Sequence, residues 1–169
     1  MAKERYAQMK VEKNGLCIIS DRYFDDFPSI RHMSNKHESR PYYLALHSEN
    51  GIVWVIPLSS QVEKYREKIK ADERKYGNCL FYYISKFMGK DSAFLIGNVI
   101  PVTDDYIKKP FTIQGRPFVI EDKAELKKIQ SKFKRYLVMV RQGKLKPAVD
   151  ILKIEAMLIN RKNHAAYII

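Results

Sequence analysis

Two adjacent serines, Ser59 and Ser60, stand at a joint. Before them runs "GIVWVIPL", apolar and strand-like; after them runs "QVEKYREKIK", which has helical period. Hydroxyls at such a joint have two uses. The first is local. Ser60-Gln61-Val62-Glu63 has capping-box spacing, in which the Ser60 hydroxyl accepts from the Glu63 amide and the Glu63 carboxylate reaches back to the Ser60 amide. The second is chemical, because helix-terminal amides beside hydroxyls suit a phosphate. The two uses are compatible at Ser60, and the cap leaves Ser59 unexplained. The segments around the pair add Tyr23, Lys36, His37, Arg40 and Lys64. Together these types fit the cutting of RNA by its own 2′-hydroxyl. A protein that assists this reaction holds the phosphate, stabilises charge on its oxygens and moves two protons. Hydroxyls, amides and cations do the electrostatic part, and Tyr, Lys or His can carry the protons.

Other chemistries find less support. There is no GxxxxGK[ST] and no GxGxxG. His32, His37, His47 and His164 lack metal-ligand spacing. Asp25-Asp26 and Asp104-Asp105 read as loop or cap residues. Glu121-Asp122-Lys123 is similar to part of a metal-nuclease signature, but a helix start explains it better. No metal and no cofactor is expected.

Charge narrows the partner. The 169 residues carry 31 Lys and Arg against 19 acids, a formal net charge of +12. The basic residues are spread along the chain, which favours a polyanion. Hydrophobic residues make up 46% of the chain, enough for one globular domain over residues 1–169. No apolar run approaches a membrane span, and "MAKERYAQMK" lacks a signal-peptide core, so a cytoplasmic protein is expected. Cys17 and Cys79 lie in apolar runs and read as buried free thiols.

The positioning elements follow from pattern. "LCIIS" is a first strand, and residues 21–41 form a polar loop with one short helical turn. "YYLALH" and "IVWVIPL" form a hairpin around Asn50-Gly51. A helix follows from Gln61 to about Arg74, with Val62, Tyr65 and Ile69 on its apolar side. "CLFYYISKF" and "SAFLIGNVIPV" are two further strands, and "FTIQGRPFVI" is a short pair. Tyr42 and Trp54 fit strand packing. A long helix begins at an Asp122 cap, buries Leu126, Ile129, Phe133, Leu137 and Val140, and ends at Gly143. A last helix from Pro147 carries Val149, Leu152, Ala156 and Ile159 on one face. Short antiparallel strands followed by helices predict an α+β fold: a strongly twisted antiparallel sheet or small open barrel with helices around it.

The segments "ISDRYFDDFPS", "RPYYLALHSENGIVWVIPLSS" and "FLIGNVIPV", followed by a long basic helix, resemble the ToxN/AbiQ family, nearest its CptN branch. These are endoribonuclease toxins of type III toxin–antitoxin systems, which act in abortive phage infection. The resemblance implies an active-site Tyr at Tyr23, a basic residue at Arg40 and the Thr/Ser-Ser pair at Ser59-Ser60. It also implies a Kid/MazF-like fold. The chain departs where the family often continues Pro-Lys, since Gln61-Val62 stands there. Lys64, one helical turn on, is one replacement for that Lys, and Lys36 or His37 in the loop is the other. The implied partner is a structured antitoxin RNA, bound in a closed assembly of alternating protein and RNA units, with cellular or phage RNA as substrate. Lys123, Lys127, Lys134 and Arg141 on the polar side of the long helix, with Lys64 and Lys68, are expected to make basic walls that track phosphates. As a plain solvated face they would do nothing of the kind. The competing function is a non-catalytic RNA-binding module on a small barrel, which explains the charge but not the Tyr23, Arg40 and Ser59-Ser60 set.

Overall fold

The computed structural model describes residues 10–30, 34–87 and 89–166. The strands are β1 (Leu16–Ile19), β2 (Tyr42–His47), β3 (Val53–Ser59), β4 (Tyr83–Phe87), β5 (Lys90–Phe94), β6 (Ile100–Val102), β7 (Ile107–Pro110), β8 (Thr112–Ile113) and β9 (Arg116–Pro117). The α-helices are α1 (Asp21–Asp26), α2 (Val62–Tyr76), α3 (Lys123–Arg141) and α4 (Ile151–Ala166). The main sheet runs β4-β5-β3-β2-β1-β7, with β6 also on β3, and its neighbours pair antiparallel. It is not closed into a barrel. Its ends, β4 and β7, do not pair, which corrects the barrel expectation while leaving the antiparallel sheet and its helices.

β3 is the spine, buried along its whole length. On one side it pairs with β2. On the other its partner changes: β6 covers Val53–Val55, and β5 covers Leu58 and Ser59. Pro57 sits in the gap between these partners. A proline inside a strand lacks a ladder donor. Leu58 N donates toward the β2 side, to Pro41 O. The missing N–H of Pro57 therefore falls on the opposite side, where β6 has ended and β5 has not begun. The partner change lets the spine carry a proline and ends it, two residues later, at Ser59.

The Asn50-Gly51 hairpin forms as the turn chemistry predicts, with Gly51 at φ +83. Asp122 caps α3 by accepting from the amides of Ala124 and Glu125. Ile129, Phe133, Leu137 and Val140 of α3 are buried as expected, joined by Tyr136, while Leu126 is half-buried. Cys17 and Cys79 are buried free thiols. No helix among the described residues is long and apolar enough to cross a membrane.

Three expectations shift. The last helix starts at Ile151, not Pro147, and its buried face is Ile151, Ile154, Glu155 and Leu158. A stripe counted from the wrong start picks the neighbouring face, which is why Ala156 proves exposed. "SAFLIGNVIPV" is two strands split by a 3-10 turn at Ile96–Asn98. β7, which follows a further 3-10 turn at Asp104–Tyr106, carries too little apolar pattern to be read as a strand.

Candidate functional site

At the end of β3 the chain turns sharply into α2. Val62 N donates to Ser60 O at 2.9 Å around Gln61, whose φ of −78 and ψ of 58 are those of an inverse γ-turn. This turn forbids the capping box. Gln61 occupies the N-cap position, no side chain caps α2, and Glu63 pairs with Arg66 instead. Ser59 makes the turn's side-chain bond, its Oγ accepting from Gln61 N at 3.2 Å. Ser59 is buried and Ser60 is exposed. α2 thus opens with amides that no side chain satisfies, the arrangement that favours an anion.

A cleft of about 280 Å³ lies beside this turn. Its lining includes Ser34, Lys36, Arg40, Ser59, Gln61, Lys64, Tyr65 and Lys68, with Tyr82 and Leu95. Five of the expected residues are therefore brought together: Lys36, Arg40, Ser59, Lys64 and Lys68. Among the described residues the wall holds four cations and no carboxylate.

Arg40 anchors it. The residue is only 7% exposed. Its Nε donates to Ser34 O at 2.7 Å and its Nη1 to Leu58 O at 2.7 Å. These bonds tie the loop before β2 to the end of β3 and fix the guanidinium plane. Among the described residues Arg40 has no carboxylate partner. A guanidinium stays charged at any ordinary pH and carries five donors in a planar fork suited to phosphate. The remaining donors are available for one.

Lys36 reaches the cleft from an unusual turn. Lys36, His37 and Glu38 have φ values of 51, 52 and 60, three successive non-glycine residues in the left-handed region. Each such residue costs roughly 1–2 kcal/mol, so the turn must be held from outside. Buried Asn35 donates to Ile19 O at 2.9 Å and Asp21 Oδ1 at 2.7 Å, and accepts from Tyr42 OH at 3.0 Å. Glu38 accepts from Asp21 N and pairs with Lys108. Those bonds, the backbone amide first, hold the Glu38 carboxyl below its ordinary range. His37 sits on this turn, exposed, and does not line the cleft.

Tyr23 is elsewhere. Its side chain is fully buried against Phe24, Phe27 and Tyr106, and its hydroxyl donates to Pro101 O at 2.7 Å. Burial pushes this phenol well above its ordinary pKa. The strand-to-helix step at Ser20 makes the difference. Ser20 caps α1 through the amide of Arg22, and the first turn then points Tyr23 into the core.

Arg141 is also committed. It forms a two-pronged pair with Glu155, both contacts at 2.9 Å, and lies 5.8 Å from the centre of the Trp54 ring. It joins α3 to α4 and is not a free phosphate contact. Lys123, Lys127 and Lys134 are exposed and form no ion pair among the described residues. Lys127 lines an open basic groove with Lys128, Lys132 and Arg135, outside the cleft. No group of three or more His, Cys, Asp or Glu side chains converges among the described residues.

Tyr65 and Tyr82 were not legible as site residues. Their rings lie 4.9 Å apart, centre to centre, and both line the cleft. The helical stripe explained Tyr65 as core, and nothing in "CLFYYISKF" separates Tyr82 from its neighbours.

No family model matches the chain, and no curated protein matches it in sequence. Its fold is similar to a solved structure of AbiQ, described as a lactococcal anti-phage endoribonuclease belonging to the type III toxin–antitoxin system. The TM-score is 0.62 at 16% identity, over 88% of this chain and 98% of AbiQ. At that identity the likeness establishes a shared fold.

Proposed function

We propose that this protein is an endoribonuclease toxin of a type III toxin–antitoxin system that needs no metal, nearest the CptN branch, and that a structured antitoxin RNA inhibits it by direct binding. One observation carries the reading: a fixed Arg40 and three lysines line one cleft with Ser59, and no acid is among the described residues of its wall. Among the described residues its wall holds no carboxylate to repel a phosphodiester, and no carboxylate or imidazole with which to hold a divalent ion. The fold shared with an endoribonuclease of this kind supports the same reading.

In the proposed reaction the scissile phosphate sits on the Arg40 fork, with the Ser59 hydroxyl and the open amides of α2 around its oxygens. The 2′-hydroxyl attacks phosphorus, a 2′,3′-cyclic phosphate forms, and the 5′-oxygen leaves. Arg40, Lys64 and Lys36 offset charge on the phosphoryl oxygens, the electrostatic part that usually contributes most. With Tyr23 and His37 outside the cleft, Lys64 and Lys36 are the proton carriers within it. The exposed Lys123, Lys127, Lys134 and Lys68 are assigned to phosphate tracking.

The test is incubation with RNA in EDTA, followed by analysis of product ends. The expected result is undiminished cutting, 2′,3′-cyclic phosphate and 5′-hydroxyl ends, and no cutting of a substrate that is 2′-deoxy at the cut. Strict magnesium dependence would overturn the mechanism. The second reading, an RNA-binding module without activity, is favoured by the burial of Tyr23 alone, and intact RNA after tight binding would establish it.

A further inference from the structure

The cleft has two kinds of wall. Arg40, Ser59 and Lys36 form one. The other is Tyr65 from α2 and Tyr82 from the segment just before β4; buried Leu95 also lines the cleft. The two rings are tilted by 46°. Both residues are only half-buried, and neither phenol hydroxyl makes a hydrogen bond among the described residues. As pure packing this is a poor use of two tyrosines. α2 buries no residue completely, and Tyr82 touches the core's edge only through Phe81, its ring 6.4 Å away centre to centre.

The lysines give the pair a second meaning. Lys64 Nζ lies 5.5 Å from the Tyr65 ring centre, and Lys68 Nζ lies 5.7 Å from Tyr65 and 5.5 Å from Tyr82. Exposed cation–π contacts are weak. A charge-assisted contact to phosphate is stronger. An arriving phosphodiester therefore draws both ammonium groups off the rings, and the uncovered faces are next to the phosphate that took them. A polynucleotide has a flat base on each side of every phosphate, and aromatic faces hold such bases with little regard to sequence.

We infer that Tyr65 and Tyr82 form a nucleobase-stacking subsite, which holds an unpaired base flanking the phosphate seated on Arg40. The inference rests on the proposed RNA-cutting reading for its ligand, and it adds a requirement that reading lacks. The substrate must be single-stranded at the cut, because a paired base cannot present its face to the rings.

The probe is a twelve-residue 2′-fluoro oligoribonucleotide, which has no 2′-hydroxyl to attack, with one abasic residue moved along it position by position. Dissociation constants are measured for the parent, Tyr82→Leu, Tyr65→Leu and Tyr82→Trp, with melting temperature as the check on folding. In the parent, one position should cost about tenfold when made abasic, the size of a base–aromatic stack. Tyr82→Leu should lose about the same factor with the intact oligomer and nothing further at that abasic position. Tyr82→Trp keeps a ring and should hold the intact oligomer as tightly as the parent. Equal abasic losses in the parent and Tyr82→Leu, or failure of a folded Tyr82→Trp to bind, would overturn the subsite. No binding by the parent would overturn it as well. A parent that shows this pattern yet leaves ordinary RNA uncut would keep the subsite and end the nuclease reading.

Discussion

Two clusters of cations in this molecule have opposite surroundings. Around Tyr23, each described arginine meets an acid. Arg22 pairs with Asp105 at 3.1 Å, and Arg161 lies 3.8 Å from Asp26 while donating to Tyr106 OH at 3.0 Å. Tyr106 in turn donates to Asp26 at 2.5 Å, and burial with that bond pushes its pKa up to about 12. In the cleft, Arg40 meets carbonyls and Lys64 and Lys68 meet rings, and these three and Lys36 find no carboxylate among the described residues of the wall. Paired charge fastens elements together: α4 to α1 in the first case, and α3 to α4 through Arg141 and Glu155. Unpaired charge, held rigid, is what a polyanion can use. The contrast separates cations that fasten elements from cations that the proposed reading puts to use, more sharply than their number does.

The largest expected effect breaks the contrast directly. Arg40→Gln should lower the RNA cleavage rate on the order of a hundredfold or more, the scale of one lost electrostatic contact in the transition state. Arg161→Gln should leave the rate within about twofold and lower only the melting temperature, as a partly exposed pair allows. Equal loss of rate in two folded variants would erase the distinction.

A smaller effect compares the serines. Ser59→Ala removes a half-buried hydrogen bond and a cleft hydroxyl, so about 1 kcal/mol of stability and about tenfold in rate should go together. Ser60→Ala should change neither by more than a few tenths of a kcal/mol, as an exposed site without partners does. A rate loss confined to Ser60→Ala would return the phosphate to the exposed hydroxyl.

Tyr23→Phe sharpens the other side. It keeps the ring packing and deletes the bond to Pro101, which should cost roughly 1–2 kcal/mol measured by urea unfolding. Cleavage by the folded variant should persist. Abolished cleavage with an unchanged fold would show that the paired cluster, not the cleft, does the chemistry.

The smallest effect is one of pH. Hydrogen bonds from Ser85 and Tyr83, with Lys128 beside it, hold Glu125 below the ordinary carboxylate range. A depressed carboxyl contributes stability above its unfolded pKa, about 4.3, and that contribution is lost as pH falls through the folded value. Ser85→Ala removes the largest cause. Its melting temperature should fall below the parent's at pH 6 and converge with it toward pH 3. A gap that widens in acid would reverse the assignment.

Local chemistry carried much of this into the sequence. Asn50-Gly51 made the hairpin and Asp122 made the cap, because each acts on amides within a few residues. Arg40, Ser59, Lys64 and Lys36, singled out by type and position, line one cleft. Other features depend on partners far along the chain. Arg141 reads as a surface cation until Glu155, fourteen residues on, closes on it. Tyr23 stands as the active-site Tyr the resemblance implies until its hydroxyl is seen to donate to Pro101 O, seventy-eight residues on. The Ser60 capping box satisfied every local rule, yet the turn at Gln61 prevailed because β3 stays paired through Ser59 and leaves the chain too few residues to open a cap. Tyr65 and Tyr82 meet only when α2 folds back on the strand edge, which no pattern within either segment encodes.

Arg40 has a consequence for how this chain survives. A buried guanidinium without a counter-charge costs free energy whenever the cleft is empty. The native state is therefore most strained alone and relaxes when an anion arrives. By linkage, a ligand at a hundred times its dissociation constant adds about 2.7 kcal/mol to stability. Inorganic phosphate and sulfate should raise the melting temperature of the parent and leave that of Arg40→Gln nearly still. Under the RNA-cutting proposal a bound polyanion would act as part of the fold, and the free protein should be more open to proteolysis than the same chain in complex.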